Sequence, residues 1–247
     1  MKYFLWPVRL IYFLYACLIF LALMCCVLPV LAVAIALGTR RGGNLLNAAC
    51  RYWSDIWLAM MGIWCPKTPN ISGVPTKCIY VANHISYIDI PMIFKTVRRP
   101  LRILGKEEMK NVPVFGWIYR TAVVSVNRSS PAKRAASIRR LRAVLRTGIS
   151  IFIFPEGTFN ETGKPLKDFY DGAFRIAIEM QVPIQPVIFP DTLARMHYES
   201  LLSLCPGPCR ILYLEPMLTE GLTLDDLPQL RQKVYDRMEA ALIAAKQ

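Results

Sequence analysis

The chain holds two histidines, His84 and His197. His84 lies in YVANHISYIDIPMIF (Tyr80 to Phe94), after an apolar run and five residues ahead of Asp89. An imidazole whose Nδ1–H is held by a carboxylate keeps one tautomer, which leaves Nε2 to act as a general base. On one continuous helix, residues five apart diverge by about 140°. His84 and Asp89 therefore meet only if the histidine sits in a loop and the helix begins near Ile88. The spacing of Ser86 and Asp89 also fits a capping box that would start the helix at Ser86. From these residues alone, Asp89 as a plain cap and His84 as a polar loop residue stand beside the catalytic reading.

A histidine–aspartate pair activates a hydroxyl. No G-x-S-x-G elbow occurs, so the sequence offers no serine nucleophile of that kind and a substrate hydroxyl becomes the natural attacking group. A second stretch, ISIFIFPEGTFNETG (Ile149 to Gly163), runs a buried strand directly into Pro155, Glu156, Gly157 and Thr158. Proline and glycine punctuate ordinary turns. A glycine at a strand end also lets backbone N–H groups approach an anion or oxyanion. His197, in DTLARMHYES, is expected in a loop with no catalytic part.

These two stretches need a scaffold, and the pattern of the chain supplies one. CIYVA, VVSV, ISIFIF, IQPVIF and RILYLE read as buried strands; DIPMIFKTV, PAKRAASIRRLRAVLRTG and GAFRIAIEM read as helices. Such alternation predicts an α/β domain with a mixed, largely parallel sheet flanked by helices. The last segment, from Asp226, reads as a surface helix. Ahead of this domain, Leu10 to Leu37 carries no charge. A bilayer core needs roughly 20 apolar residues in a helix, so this stretch predicts a membrane-embedded helical segment. It is longer than the apolar core of a signal peptide, about 7–15 residues. Pro29 would kink it or split it, leaving a single span and a bent hairpin both open. Asn44 to Cys65 reads as a helix with Trp53, Trp57 and Trp64 near one face, suited to a packed core or to the headgroup level of a membrane. PKTPNISGVPTK then marks a boundary. The expected domains are 1–66, the membrane-anchoring helices, and 67–247, the α/β domain.

Thirty Lys and Arg against seventeen Asp and Glu give a net charge of +13, and a basic protein seeks an anionic partner. With an apolar N-terminus, anionic membrane lipids fit better than nucleic acid. The helix from Pro131 to Gly148 carries Lys133, Arg134, Arg139, Arg140, Arg142 and Arg146 with no acid, which suits a solvated face, anionic lipid or an acidic acyl carrier. The eight cysteines are expected as free thiols, because CPGPC lacks redox or zinc spacing and four others lie in or near the apolar segment. No metal site is expected.

At this point the chain resembles a family. NHISYID matches the NHx4D signature of the glycerophospholipid acyltransferases, the family of 1-acylglycerol-3-phosphate acyltransferase, and FPEGT matches their FPEGTR block. GKEEMKNVPVFGWIYR is similar to their second block, through Lys106, Pro113, Phe115 and Gly116. GAFRIAIEMQVPIQPV is similar to the stretch leading to their fourth, with Pro183 and Pro186. The four blocks stand in order over about 74–190. The resemblance implies a one-step transfer in which His84 deprotonates a lysolipid hydroxyl that attacks an acyl thioester, while Asp89 orients the histidine. Substrate-binding roles pass to Asn83 and Ser86 in the first block and to Lys106 in the second. The same roles pass to Glu156, Gly157 and Thr158 in the third and to Pro186 in the fourth, with Arg120 or Arg128 as further headgroup cations. No cofactor is implied beyond acyl-CoA or acyl carrier protein as co-substrate. The implied place is the cytoplasmic membrane, with the catalytic domain on the cytosolic side.

Two departures bear on the acceptor. Phe159 stands where the family usually has an arginine, and Asn127 precedes Arg128 where it usually has Asp-Arg. Phenylalanine cannot make the charge-assisted pair an arginine makes with phosphate. Either another cation supplies the charge, with 1-acylglycerol-3-phosphate as acceptor, or the acceptor is a lyso-aminoacyl or other lysolipid. A non-catalytic membrane scaffold of the same fold, and a hydrolase using the dyad on water, are the competing classes.

Overall fold

The structure is a computed structural model that describes residues 6–66, 73–112, 115–126 and 131–245. Pro113, Asn127 and Arg128, and residues 67–72 of the PKTPNISGVPTK boundary, lie outside the described residues. The chain begins with helices α1 (Trp6–Ala36) and α2 (Gly38–Met60), strands β1 (Ile63–Trp64) and β2 (Ile79–Ala82), and helix α3 (Asp89–Thr96). Strand β3 (Leu101–Lys106), helix α4 (Phe115–Ala122), strand β4 (Val123–Val126), helix α5 (Pro131–Arg146) and strand β5 (Ser150–Ile153) follow. Helix α6 (Gly172–Met180), strand β6 (Ile184–Ile188), helix α7 (Thr192–Arg195), strands β7 (Gly207–Pro208) and β8 (Leu212–Tyr213), and helix α8 (Leu227–Ala245) complete it.

Contacts divide the chain into two compact units. The first takes 1–68, 85–98 and 189–211; the second takes 69–84, 99–188 and 212–247. The helices at the N-terminus thus share their unit with two later stretches of chain.

In the first unit α1 and α2 form an antiparallel hairpin. The Tyr12 hydroxyl donates to the Met61 carbonyl at 2.7 Å, the Trp57 indole N–H donates to the Ala16 carbonyl at 3.2 Å, and Phe20 meets Trp53 edge-on at 5.2 Å. At the other end the backbones touch. A Cβ on Gly42 would stand 1.8 Å from the Ala34 carbonyl oxygen, so only glycine fits there. α1 runs through Pro29 as one helix and is long and apolar enough to cross a membrane by length and composition. At 1.5 Å per residue its 31 residues extend about 46 Å, against a hydrocarbon core of about 30 Å. Val8, Ile11, Leu14, Leu18, Leu21, Val33 and Ile35 are exposed along it. α2 ends at Met60, where the Met61 and Gly62 N–H groups close on Trp57 and Ala59. Trp64 therefore leaves the helical face expected for it and lies in β1, paired in parallel with β7. Trp53 and Trp57 do share a face, stacked 6.2 Å apart.

The second unit holds a six-stranded sheet in the order β4-β3-β5-β2-β6-β8. Every pairing is parallel except β6 with β8. The strands β2, β5 and β6 are buried along their whole length, as strands covered on both faces must be. On one face Ile79, Val81, Ile151 and Ile153 pack with Leu141 and Leu145 of α5, Phe174 and Ala177 of α6, and Val234 and Met238 of α8. α8 is a surface helix whose Leu227, Leu230, Val234, Met238 and Leu242 form its buried stripe. The fold class is thus a mixed α/β sheet flanked by helices, preceded by a long apolar helix.

Candidate active site

Because β2, β3, β4, β5 and β6 run parallel, their carboxyl ends share one edge of the sheet, and ligands of open α/β sheets bind beyond that edge. Both motifs emerge there. Asn83 and His84 follow β2, Phe154 to Phe159 follow β5, and Lys106 ends β3, which lies beside β5.

The backbone of His84 is gripped from both sides. Its N–H donates to Glu156 Oε1 at 2.7 Å, and its carbonyl accepts the Asn160 N–H at 2.8 Å. Its ring lies flat on Phe154, centroids 3.9 Å apart and planes within 8°, and meets the edge of Phe159 at 4.5 Å. Glu156 is fully buried and its other oxygen, Oε2, accepts the Lys167 N–H at 2.9 Å. A buried carboxylate needs such donors to offset its lost hydration. One side chain thereby ties the end of β2 to two points of the loop after β5. Asn160 continues the tie: its amide donates to the Lys164 carbonyl at 2.9 Å and its oxygen accepts the Thr162 hydroxyl at 2.6 Å.

The turn itself needs Gly157, whose φ of +75° is a left-handed conformation that glycine adopts without penalty. Its N–H donates to the Phe154 carbonyl at 3.1 Å and so closes the turn. The Thr158 hydroxyl accepts the Lys167 ammonium at 2.8 Å.

Other sequence-predicted residues occupy different settings. Asn83 is buried directly after β2. Ser86, in the first unit, is fully buried; its hydroxyl donates to the Met196 carbonyl at 2.6 Å and accepts the Ile88 N–H at 3.1 Å. Asp89, also fully buried, begins α3 and accepts the Ile85 and Ser86 N–H groups on Oδ2 at 2.7 and 2.8 Å. The helix starts at Asp89 and Ile88 precedes it without a side-chain cap, so the capping box expected to start the helix at Ser86 does not form: the Ser86 hydroxyl takes the Ile88 N–H instead of that of Asp89. Lys106 is exposed, and its carbonyl accepts the Tyr119 hydroxyl at 2.7 Å. Burial pushes the Tyr119 phenol well up, so it stays a donor there. Pro186 sits within β6 opposite Val81, and its carbonyl accepts the Leu214 N–H at 3.0 Å. Arg120 donates to the Lys110 carbonyl at 3.2 Å, beside a cavity of about 560 Å³ lined by Glu107, Glu108, Lys110 and Asn111. His197 follows α7, half a turn of chain from Glu199, whose carboxylate lies 3.6 Å from Nδ1. All eight cysteines are free thiols, and burial pushes Cys78 up to about 12.

Asn160 and Lys167 brace the His84 loop although motif spacing does not single them out: Asn160 reads as a loop polar residue, and Lys167 stands outside every block. Phe154 opens the FPEGT block, but nothing in the sequence marks it as the residue on which the His84 ring lies.

The site is thus a histidine loop on the carboxyl edge of a parallel sheet, braced by the Pro-Glu-Gly-Thr turn. A family model described as Acyltransferase matches residues 68–190. The lyso-ornithine lipid O-acyltransferase of Pseudomonas aeruginosa is 31% identical over 82% of this chain and 84% of its own length. The 1-acyl-sn-glycerol-3-phosphate acyltransferase of Haemophilus influenzae is 27% identical over 90% of this chain and 92% of its own. Among solved structures, the 1-acyl-sn-glycerophosphate acyltransferase PlsC of Thermotoga maritima superposes with a TM-score of 0.76. It covers 100% of this chain and 98% of that one at 21% identity, a likeness of fold. The chain belongs to the glycerophospholipid acyltransferase family. It spans about half the length of some curated relatives, 47% of the 1-acyl-sn-glycerol-3-phosphate acyltransferase of Cocos nucifera, to which it is 33% identical.

Proposed function

We propose that this protein is a membrane-associated O-acyltransferase that moves a fatty acyl group from an acyl thioester to the free hydroxyl of a lysophospholipid, with 1-acylglycerol-3-phosphate as acceptor and phosphatidate as product. The observation that carries this reading is the seating of His84. The His84 imidazole stands at the carboxyl edge of a parallel sheet, flat on Phe154 and fixed through its backbone by Glu156 and Asn160.

In the proposed step His84 Nε2 takes the proton of the acceptor hydroxyl as its oxygen attacks the thioester carbonyl. The carbon–oxygen bond forms, the carbon–sulfur bond breaks, and the thiol leaves with the proton returned from the imidazolium. Asp89 is the carboxylate that orients the imidazole. No enzyme nucleophile is needed, and none of the serine-elbow kind is present in the sequence. The long apolar α1 supports a membrane anchor, and the relatives' lipid substrates support a place on the cytosolic face of the cytoplasmic membrane.

A second acceptor is favoured by one observation. Phe159, standing where the family usually has an arginine, turns its edge to the His84 ring, centroids 4.5 Å apart. A lyso-aminoacyl lipid fits that altered position, and one relative is named for such a substrate. The test offers labelled acyl thioester to purified protein with lysophosphatidate and, separately, with a lyso-aminoacyl lipid. Loss of a general base costs about 10²–10⁴-fold in rate, so His84→Ala should abolish product formation to that extent. Product from the aminoacyl acceptor alone would move the assignment to the second lipid. Equal activity of wild type and His84→Ala would overturn the dyad.

A further inference from the structure

We propose that Lys167 is the cation that holds the acceptor's anionic headgroup beside the Pro-Glu-Gly-Thr turn, taking a phosphate or carboxylate oxygen on its ammonium. The proposal rests on the lysolipid reading above and names the residue that would recognise the acceptor.

Three observations converge. First, Lys167 is bound into the His84 support. Its backbone N–H and that of His84 share the two oxygens of one buried carboxylate, Glu156. The position of this lysine relative to the imidazole is therefore set by a single rigid group and not by a free loop. Second, the side chain folds back over the turn. Nζ reaches the Thr158 hydroxyl at 2.8 Å, next to Phe159, whose edge meets the His84 ring. Third, Lys167 is a half-buried residue, and the ion pairs formed among the described residues do not include it. A lysine ammonium carries three donors, and Thr158 takes one. An ammonium held by one neutral hydroxyl is poised for an anion, and any desolvation beside the turn strengthens that attraction.

Competing cations fit less well. Lys110 pairs with Glu107 at 3.3 Å, and the Arg120 guanidinium is turned to the Lys110 carbonyl. Lys164 is exposed, and it joins the loop only through its carbonyl, which accepts the Asn160 amide. Lysine is also a compact point charge with no planar fork, so it accepts a phosphate monoester and a carboxylate alike. This property accommodates either acceptor where arginine would favour bidentate phosphate.

The test measures initial rates against acceptor concentration at saturating acyl donor, for wild type, Lys167→Met, Lys167→Arg and Lys164→Met. Lysophosphatidate and a lyso-aminoacyl lipid are run as separate arms. Lys167→Met should raise the acceptor KM by at least about tenfold, the loss of one charge-assisted contact. It should leave the donor KM unchanged and kcat within about threefold of wild type, since the ammonium binds and does not react. Lys167→Arg should restore most of the affinity, and Lys164→Met should behave as wild type. Whichever acceptor shows the rise identifies the headgroup. A purely structural role predicts instead that Lys167→Met lowers kcat, stability and both KM values together, which would overturn the proposal, as would an unmoved acceptor KM. To separate this from failure of the acyltransferase reading, calorimetric binding of a short-chain lysophosphatidate and its aminoacyl counterpart is measured in the His84→Ala background. Binding weakened by Lys167→Met there, together with a wild type that transfers no acyl group to either acceptor, would retain the lysine and discard the reaction; binding unaffected by Lys167→Met would discard the lysine alone.

Discussion

Glu156 and His84 show how one residue's chemistry depends on another's backbone. If Glu156 held a ligand, Glu156→Gln would change acceptor affinity and leave the fold alone. The structure gives both its oxygens to backbone N–H groups, and glutamine has only one oxygen to offer. An amide N–H₂ would then face a backbone N–H, leaving a buried donor unsatisfied at a cost of about 1–3 kcal/mol. Glu156→Gln should therefore lower the melting temperature by several degrees, at about 2–4 °C per kcal/mol for a chain of this size. It should also cut kcat, because His84 loses its seat. Calorimetry beside initial rates checks this: unchanged melting with a raised acceptor KM would show that Glu156 meets ligand directly.

At the scale of elements, two contacts make testable joints. α2 approaches α1 so closely at Gly42 that any Cβ collides with the Ala34 carbonyl. Gly42→Ala should part the two helices and destabilise the hairpin by about 1–3 kcal/mol, the usual cost of overpacking. Gly42→Val should cost more, and protease accessibility of the turn near residue 37 should rise in step. The second joint is Arg210 with Asp191, bonded at 2.6 and 2.8 Å by the guanidinium and at 2.7 Å by the Arg210 N–H. Burial raises the Asp191 carboxyl, but the Arg210 hydrogen bonds outweigh it, with help from the nearby Arg195 charge, and the net shift is downward. A carboxylate lowered in the fold stabilises above its ordinary value of 3.8 and loses that contribution as the pH falls through the folded value. Asp191→Asn should cost about 1 kcal/mol at neutral pH, a figure discounted for solvent screening. The difference from wild type should start to shrink as the pH falls below 3.8 and vanish below the folded value; a constant gap across the titration would show that charge is not the cause.

Legibility followed burial at this scale. β2, β5 and β6 are continuous apolar runs because both their faces are covered, so they read plainly as strands. β3 did not, since Arg102, Gly105 and Lys106 interrupt it; Arg102 is nonetheless buried, its guanidinium donating to the Leu101 carbonyl at 2.9 Å. α4 was hidden because Gly116 looks like a breaker, yet it is needed where a Cβ would stand 2.2 Å from the Lys110 carbonyl oxygen. The motifs fall on loops at the carboxyl edge of the sheet, but they do not show the division of work within them. That Glu156 faces backbone and Lys167 faces the turn depends on contacts across eleven residues of loop, which spacing in a sequence does not encode.

For the whole molecule, two forces toward a membrane can be separated by salt. An apolar helix inserts by burying hydrocarbon, which salt does not screen. A net charge of +13 acts through the field at an anionic surface, and raising ionic strength from about 0.1 M to 1 M shortens the screening length from about 10 Å to 3 Å. Lys133, Arg139, Arg140 and Arg146 are exposed on α5, while Arg142 is paired with Glu179. Flotation with zwitterionic vesicles should therefore retain the protein at both salt concentrations through α1. Anionic lipid should add binding at low salt only. Arg139→Glu with Arg140→Glu should remove that increment and leave the salt-resistant part, since α5 has no role in hydrocarbon burial. If the double variant keeps the full anionic increment, the basic face of α5 does not meet the bilayer. Its charge would then be left for an acidic carrier of the acyl thioester, for which the same variant should raise the KM of a carrier-bound donor but not of a coenzyme A thioester.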